Sequence, residues 1–334
     1  MTNEWLRSKP FDMFFILGIS AIAIISGAAV IIKPELFPII LMLDLWFLGY
    51  HHVISTYTRI GFSVHSLKKH KLLVTVVPIA VIASVAFLAN FIGLWAIASI
   101  YFYWQWYHYT RQSWGISQFY KSKSNYKTKN KTNLSLLLFW SLPVWGMAHR
   151  SFQAPEVFLG QAIVIAPIPE YFYLLIKTIA IVCLLGWVIE KVREWQNSKL
   201  PVAHTLYMLS HFSIFYISYV YISDITTGWL VVNIWHNAQY IIFVWLYNNN
   251  KYKTGVDENE KVISTLSQTK NIWLYFIFCL TITTAIYHTI DFSVSTLAAF
   301  IIIYQSINFH HYIVDSQIWK VRKKPIRTIM GIQN

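Results

Sequence analysis

The sequence predicts an all-α fold, a polytopic integral membrane bundle of about ten transmembrane helices that forms a single transmembrane domain over residues 1–334. First, 56% of the residues are hydrophobic and 12% are charged, whereas soluble domains carry about 25% charged residues. Second, the apolar residues form long runs separated by short polar loops. Third, the 27 basic residues outnumber the 14 acidic ones and concentrate in alternate loops. This composition excludes a disordered chain, a nucleic-acid-binding domain and an ordinary soluble enzyme.

Ten segments are long and apolar enough to cross the hydrocarbon core, which takes about 20 helical residues. Asn90 and Gly93 separate the third segment from the fourth, which indicates a tight helical hairpin. The fifth is short and contains Pro143, so a kinked or re-entrant segment is the alternative there. The first is too long for the core of a signal peptide, so we expect it to be retained. In chain order the predicted spans are Phe11–Ile32, Phe37–Thr58, Leu72–Ile92, Leu94–Ser113, Leu134–Met147, Tyr171–Ile189, Val202–Ile222, Trp229–Tyr247, Ile272–His288 and Val294–Ile318.

The alternating charge of the loops predicts the orientation of the chain. Basic residues near the ends of membrane spans favour the cytoplasmic side. The polar segment 248–271 is therefore predicted to be a cytoplasmic loop, and residues 320–334 a basic cytoplasmic tail. Both termini are expected in the cytoplasm, and the chain is expected in a bacterial-type inner (plasma) membrane. The remaining loops on that side contain Arg7 and Lys9; Lys68, Lys69 and Lys71; Lys121, Lys123, Lys127, Lys129 and Lys131; and Arg193 and Lys199.

Familiar catalytic motifs are absent from the sequence. It contains no GxSxG nucleophile elbow, no P-loop, no Rossmann glycine pattern and no HExxH metalloprotease motif. The three histidine boxes of membrane fatty-acid desaturases are also absent. Cys183 and Cys279 both lie in apolar runs, so they provide neither a disulfide framework nor a CxxC metal site. The histidines remain as the candidates for chemistry.

Most of the 12 histidines share one predicted half of the membrane. His65, His70, His149 and His288 are expected to lie in a loop or near the outer ends of spans. At a rise of about 1.5 Å per residue, five helices each place a histidine about 5–18 Å from their cytoplasmic ends. A random scatter would not produce this agreement in depth. The histidines within spans or at their inner ends are His51, His52, His108, His204, His211, His236, His310 and His311.

Other polar residues share helix faces with these histidines. Polar side chains are costly in hydrocarbon and normally face the interior of a bundle. Four such faces are therefore predicted to converge on a buried polar chamber, with His310 pointing to another side. The faces consist of Asp44, His51, His52 and Thr56 on the second span, Gln105 and His108 on the fourth, Asn233, His236 and Tyr240 on the eighth with Gln239 at the edge, and Asn308, His311 and Asp315 on the tenth.

This chamber is predicted to hold a metal ion. Several histidines without cysteine suit iron, zinc or copper, and a ligating histidine usually donates its second N–H to a carboxylate or amide. The predicted ligands are His52, His108, His236 and His311. Asp315 lies at i+4 from His311 and is expected to bond to its imidazole. Asp44, Gln239 and Tyr240 are predicted to complete the catalytic site, and His51, His211 and His310 are further candidates for cofactor binding.

Two features of the predicted chamber have alternative interpretations. Arg111 is predicted to bind an anionic group or to support a ligand, and the alternative is an anchor at the inner membrane surface. The histidines themselves have two alternative roles. They can be hydrogen-bonded core residues, or they can form a proton relay.

The order of these residues resembles that of the bacterial membrane-bound β-carotene cleavage dioxygenases. His52, His108, His236 and His310 follow in a similar order, and Asp315 follows the last histidine as an aspartate does in that family. The early Pro-His-Gly of the family is Tyr50-His51-His52 here, and Tyr240 stands where the family has an i+4 histidine. The resemblance implies an all-helical membrane fold and an iron ion, held by four histidines, that cleaves a polyene with dioxygen.

The function predicted from the sequence is that of an integral membrane metalloenzyme with a histidine-ligated non-haem iron in the cytoplasmic half. It would oxidise or cleave a lipid-soluble substrate, a carotenoid, isoprenoid or fatty-acyl lipid, with dioxygen. The expected partners are the lipid bilayer, this small-molecule substrate and an electron donor, and no nucleic acid. Two alternatives remain: a b-type haem protein with axial histidines, and a transporter that uses histidines as a proton relay. Another transition metal in place of iron is a further alternative.

Overall fold

The computed structural model describes residues 4–124 and 134–332, and it is 82% helical. The all-α prediction is therefore confirmed. Lys127, Lys129 and Lys131, which the sequence places in a basic loop, lie outside the described residues. The described residues form helices α1 (Lys9–Ile32), α2 (Pro34–Thr58), α3 (Val64–Lys69), α4 (Lys71–Phe91), α5 (Leu94–Lys123), α6 (Leu134–Gln153), α7 (Glu170–Gln196), α8 (Val202–Tyr216), α9 (Ile225–Lys251), α10 (Lys261–Leu266), α11 (Ile272–Ser293), α12 (Leu297–Ile318) and α13 (Lys324–Ile329).

A small hairpin between α6 and α7 is the one sheet among the described residues. Strand β1 (Val157–Phe158) pairs antiparallel with β2 (Gln161–Ala162). The two residues between the strands, Leu159 and Gly160, have φ values of 50° and 73°. Positive φ at both central residues is the backbone geometry of a tight two-residue hairpin turn.

Six helices in the described part of the chain are long and apolar enough to cross a membrane, namely α1, α2, α4, α7, α12 and the segment that contains α11. The sequence predicted ten. The four remaining predicted spans correspond to α5, α6, α8 and α9, and polar side chains such as Gln105, His108, Asn233 and His236 lower the hydropathy of α5 and α9. Only 6% of the apolar window of α4 is buried, which suits a helix that faces lipid.

The described helices group into two compact units. The first comprises Met1–Phe37 and Phe102–His236, and the second comprises Pro38–Tyr101 and Asn237–Asn334. Each unit is thus assembled from two separate segments of the chain. The boundaries fall within α2, α5 and α9.

The core of the first unit is an aromatic and aliphatic cluster on α6, α7 and α8. Leu138, Phe139 and Leu142 of α6 pack with Trp187 of α7 and Met208 of α8. All five are buried, and each large side chain removed from water contributes about 1.5–3 kcal/mol.

A buried arginine stabilises the end of α8, which continues as a π-helix over Ile217–Tyr221. The guanidinium of Arg150 donates to the carbonyls of Ser218, Ile222 and Ser223 at 2.8, 2.6 and 2.7 Å. The last carbonyls of a helix have no partner within the helix, so the arginine satisfies acceptors that would otherwise be left without one.

In the second unit, α12 packs against α2 and α4. Ile60, Val314 and Ile318 form a buried cluster there. The guanidinium of Arg59 lies over the rings of Tyr247 and Trp319, at 4.0 and 3.9 Å from their centres. These contacts join the end of α2 to the ends of α9 and α12.

The polar segment 248–271 of the second unit is more structured than a loop. Helix α9 continues to Lys251, α10 lies within the segment, and Tyr252 is 5% exposed. The side chain of Glu260 bonds to Lys251 and Tyr252. These contacts order the chain that follows α9.

Candidate functional site

Two histidines of the second unit, His52 on α2 and His311 on α12, pack against each other. Their ring centres are 4.4 Å apart and their planes cross at 84°. His52 is 4% exposed and His311 is 0% exposed. Two imidazoles bound to one ion at about 2.1 Å have ring centres about 4.5–5 Å apart, so this pair has close to the spacing that a shared metal requires.

A π-helical turn directly precedes His51 and His52 on α2. It spans Leu45–Tyr50, and such turns are frequent at functional sites. Nδ1 of His52 lies 3.3 Å from the carbonyl oxygen of Gly49. Because a carbonyl can only accept, Nδ1 carries the proton in this contact, and the lone pair of the ring is then on Nε2.

Thr56, one turn after His52 on α2, connects several polar groups of the second unit. Its hydroxyl oxygen lies 2.8 Å from Nδ1 of His311 and 2.7 Å from the hydroxyl of Tyr240. It also donates to Oδ1 of Asp315 at 3.3 Å. All four side chains are buried, so their hydrogen bonds are shielded from water and reinforce one another.

Asp315 accepts further hydrogen bonds around Thr56. Tyr240 donates to its Oδ1 at 2.5 Å, and Nε1 of Trp319 donates to the Tyr240 hydroxyl at 2.9 Å. The other carboxylate oxygen, Oδ2, lies 3.7 Å from Nε2 of His311. The sequence predicted a hydrogen bond between these two residues, but 3.7 Å is an ion-pair distance, and the short contact of the ring is made by Thr56 to Nδ1.

The first unit contains a second histidine pair, His108 on α5 and His236 on α9. Their ring centres are 5.0 Å apart with an interplanar angle of 70°, and they are 6% and 2% exposed. The ring of Tyr109 lies 4.0 Å from that of His236. This pair also has the separation of two imidazoles on one ion.

Amide and aromatic side chains surround the second pair. Gln105 donates to the hydroxyl of Tyr109, which donates to Oδ1 of Asn233. Nε1 of Trp229 donates to Oε1 of Gln105 at 2.7 Å. These bonds fix the face of α5 that carries His108 against α9.

Buried histidines are therefore available to a metal in this protein. Among the described residues, His52 and His311 of the second unit and His108 of the first are buried and could each serve as a ligand of a transition-metal ion, since neutral imidazole is the commonest metal ligand among side chains. The sequence predicted these three and His236 as ligands.

Two other predicted histidines use both ring nitrogens in hydrogen bonds to protein groups. His310 contacts the Tyr57 hydroxyl through Nδ1 and the Leu73 carbonyl through Nε2, both at 2.6 Å. His211 contacts Ser113 through Nδ1 at 3.0 Å and the Phe139 carbonyl through Nε2 at 3.2 Å. These bonds give both rings a role in packing.

The remaining predicted site residues have varied surroundings. Nδ1 of His51 lies 3.1 Å from the carbonyl of Phe47, four residues earlier on α2. Asp44 and Gln239 are buried, at 3% and 1% exposure. Arg111 is exposed and donates to the hydroxyl of Tyr107, which fits the anchor alternative. Of the histidines expected to lie outside the site, His65 and His288 are exposed, and His70 and His149 are half-buried.

Sequence reasoning placed Thr56 on the face of His52 but gave it no role, and it did not identify Trp319. The i+4 spacing of Thr56 from His52 was the available signal for the first. Trp319 follows the last residue of α12, where an aromatic residue is usually read as an interface anchor.

Comparison with known proteins returned no match: no family model, no curated protein and no solved structure matches this chain. The resemblance to the β-carotene cleavage dioxygenases therefore rests on the sequence motifs alone.

Proposed function

We propose that this chain is an integral membrane metalloenzyme that binds a non-haem iron and oxidises or cleaves a lipid-soluble substrate with dioxygen. His52 and His311 carry the proposal, with the carboxylate of Asp315 beside His311. Two histidines and one carboxylate, with the other positions open, are the ligand set of non-haem Fe(II) oxygenases. In the second unit, the two rings lie 4.4 Å apart and the carboxylate lies 3.7 Å from His311.

The hydrogen bonds of the two rings support metal binding through Nε2. His52 donates from Nδ1 to the Gly49 carbonyl. With its own proton on Nδ1, His311 donates to Thr56, and Thr56 donates to Asp315. Each ring then presents the Nε2 lone pair, and the partner of its N–H fixes its orientation, as is usual for ligating histidines.

We propose that the carboxylate of Asp315 binds the same ion as His311 or a water on that ion. Adjacent ligands of one six-coordinate ion with bonds of about 2.1 Å lie about 3 Å apart, shorter than the 3.7 Å between Oδ2 and Nε2, which favours a bond to a water on the ion over direct binding. Oδ1 accepts from Tyr240 and Thr56, and Oδ2 is the oxygen nearer to Nε2 of His311.

The pair His108 and His236 extends the proposal to the ligand set predicted from the sequence. The ring centres of this pair are 5.0 Å apart, which fits two ligands of one ion. His108→Ala and His236→Ala are therefore expected to lower the metal content of the protein, measured beside His65→Ala.

The spacing within each pair favours this centre over a haem. Axial imidazoles on opposite faces of a haem, at about 2 Å from the iron, have ring centres about 6 Å apart. The two pairs have ring centres 4.4 and 5.0 Å apart. Neither pair is spaced for axial ligation of one haem.

A lipid-soluble substrate, drawn from carotenoids, isoprenoids or fatty-acyl lipids, fits the apolar surroundings. A bound metal would supply the reaction with dioxygen, and the buried side chains around it would exclude water from the reacting groups. His52 and His311 lie on α2 and α12, two of the helices apolar enough to cross a membrane. A substrate dissolved in the bilayer would reach such a site without entering water.

We further propose that α5, α6, α8 and α9 cross the bilayer too, with both termini in the cytoplasm. Reporter fusions at Asp224 and Asp257, on either side of α9, test this topology. Asp224 should report the outside and Asp257 the cytoplasm. Reports from the same side would mean that α9 does not cross.

Metal analysis of detergent-purified protein tests the centre. Wild type is expected to bind iron and to show no Soret band. The His52→Ala and His311→Ala variants are expected to lose the iron. His65→Ala, at an exposed position on α3, is the matched control and should retain the metal. Unchanged iron in both site variants, with all proteins eluting as folded species in size-exclusion chromatography, would overturn the metal assignment.

Dioxygen uptake tests the reaction separately. Iron-loaded wild type should consume dioxygen when a carotenoid such as β-carotene is added in detergent, and the His311→Ala variant should not. Iron binding without dioxygen uptake in the presence of carotenoid, isoprenoid or fatty-acyl probes would show that the protein binds a metal but would contradict the oxygenase activity.

A further inference from the structure

A cationic cavity lies at one end of the second unit, where α2, α9 and α12 end and α4 begins. Its volume is about 290 Å³. The groups that give it its character are Arg59, His65, Lys69, His70, Lys251 and Lys323. They come from four separate stretches of the chain, so the fold, and not a single charged run, brings them together.

The charges around this cavity do not balance. Four cationic residues line it against one carboxylate, Glu260. That carboxylate is held by the ammonium of Lys251 at 2.5 Å. Arg59, Lys69 and Lys323 therefore give the cavity a net positive charge.

The half-buried imidazole of His70 reports the positive potential inside the cavity. Burial lowers the pKa of His70, and the charges of Lys69, Lys323 and Arg59 lower it further. Three cations from separate stretches of chain thus act on the same point. Such focusing of charge in a partly enclosed cleft attracts anions.

The side chain of Arg59 is held in place by neighbouring groups rather than mobile in solvent. Its guanidinium lies over the Tyr247 and Trp319 rings and donates to the Ile318 carbonyl at 3.4 Å. A guanidinium has five N–H donors in a fixed plane. Aromatic contacts on its faces leave its edge as the part that meets an oxyanion.

We propose that this cavity binds a phosphate-bearing group, through Arg59 with Lys69 and Lys323. Arginine recognises phosphate oxygens in pairs, and lysine adds point charge. Two sources share this chemistry: the head group of an anionic phospholipid and a free phosphate or diphosphate. The cavity lies at the ends of α2 and α12, which are both long and apolar enough to cross a membrane, so a lipid head group can reach it.

The site is independent of the proposed metal chemistry but close to it along the chain. Arg59 follows Thr56 by three residues, and Ile318 follows Asp315 by three, a distance of about 4.5 Å along each helix. A lipid whose head group binds here would have its chain beside the same two helices.

Two double variants of the full-length protein, each with two lysines replaced by neutral glutamines, test the proposal. The site variant is Lys69→Gln with Lys323→Gln. The matched control is Lys68→Gln with Lys324→Gln, which removes the same charge from exposed neighbours outside the cavity lining. Native mass spectrometry measures retained phosphatidylglycerol against phosphatidylcholine, and thermal shift measures inorganic phosphate and pyrophosphate.

The site variant is expected to lose anion binding about tenfold or more, while the control keeps it. Binding of phosphatidylglycerol alone identifies a lipid head-group site, and binding of phosphate or pyrophosphate identifies a free-anion site. Equal loss in the two double variants would show general surface charge and overturn the site. Absence of binding by every probe to wild type would overturn it as well. Iron content plays no part in these readouts, so failure here is separate from failure of the metal centre.

Discussion

The hydroxyl oxygen of Thr56 lies 2.8 Å from Nδ1 of His311. A side chain on α2 thus orients an imidazole on α12, and the same hydroxyl donates to Asp315. If His311 binds a metal as proposed, we expect that binding to depend on Thr56, a residue that cannot itself be a strong metal ligand.

Thr56→Val keeps the shape of the side chain and removes its hydroxyl. We expect metal affinity to fall about 10–100-fold, as when a partner of a ligating histidine is lost. Stability should fall by about 1–3 kcal/mol, because buried acceptors lose a donor. Thr75→Val, which removes an exposed hydroxyl on α4, is the control. Equal metal affinity in the two variants would contradict the role of Thr56.

Asp315→Asn tests the carboxylate itself. The substitution keeps the volume but removes the charge opposite Nε2 of His311, so metal affinity should fall by at least about 10–100-fold. The measurement is metal stoichiometry across a chelator series, beside wild type and His65→Ala. A surface ion pair would change stability by at most about 1 kcal/mol and leave the metal content unchanged. That result would remove Asp315 from the site.

His310→Gln separates the two adjacent histidines of α12. Both ring nitrogens of His310 bond to protein groups, Tyr57 and the Leu73 carbonyl. We expect a loss of stability of about 1–3 kcal/mol with unchanged metal content, whereas His311→Gln loses the metal. Tyr57→Phe should share the stability loss, since it removes one of the same bonds. Loss of the metal in His310→Gln would instead favour His310 as the ligand, in agreement with the order of histidines in the β-carotene cleavage dioxygenases.

The sequence predicted the fold class because hydropathy is a property of each segment by itself. It also predicted that His52 and His311 share a depth, since depth follows from residue spacing along a straight helix. Both predictions concern one helix at a time.

The details of the site depend on helix rotation, which the sequence does not specify. The π turn Leu45–Tyr50 adds a residue to one turn of α2, which changes the register of the faces before and after it by about 100°. Asp44 precedes this turn and His52 follows it. The two residues share a face on an ideal helix, but the π turn rotates one away from the other. The contact of Thr56 with His311 depends on packing between helices, which leaves no periodic signal in either one.

Glu260 gives a test of pH dependence outside the membrane spans. Burial alone raises the pKa of its carboxyl, but hydrogen bonds from Lys251, Ser63 and Tyr252 and the charge of Lys251 bring it below its usual value. The stability that it contributes is present above the unfolded pKa of about 4.3 and is lost as the pH falls through the folded value.

Melting temperatures between about pH 6 and pH 3 measure this contribution. The Glu260→Gln variant should be less stable than wild type at pH 6, by at most about 1 kcal/mol since the group is partly exposed. The difference should shrink as the pH falls. Glu258→Gln is the control, because the Glu258 side chain is 79% exposed. A difference that grows towards low pH would contradict the sign.

Among the residues of the first unit, Arg150 is the one whose substitution should destabilise the fold most. Its side chain is 1% exposed and satisfies the carbonyls of Ser218, Ile222 and Ser223. Arg150→Met fills similar space without donors, so up to three carbonyls lose a partner, each at about 1–3 kcal/mol. We expect a loss above about 3 kcal/mol in detergent unfolding, and a smaller loss for Arg150→Lys, whose single ammonium cannot reproduce the planar set of donors. Arg193→Met, on an exposed face of α7, should stay within about 0.5 kcal/mol of wild type. If Arg150→Met matched that control, the carbonyls at the end of α8 would have to be satisfied by water, and the arginine would have no role in stabilising that helix end.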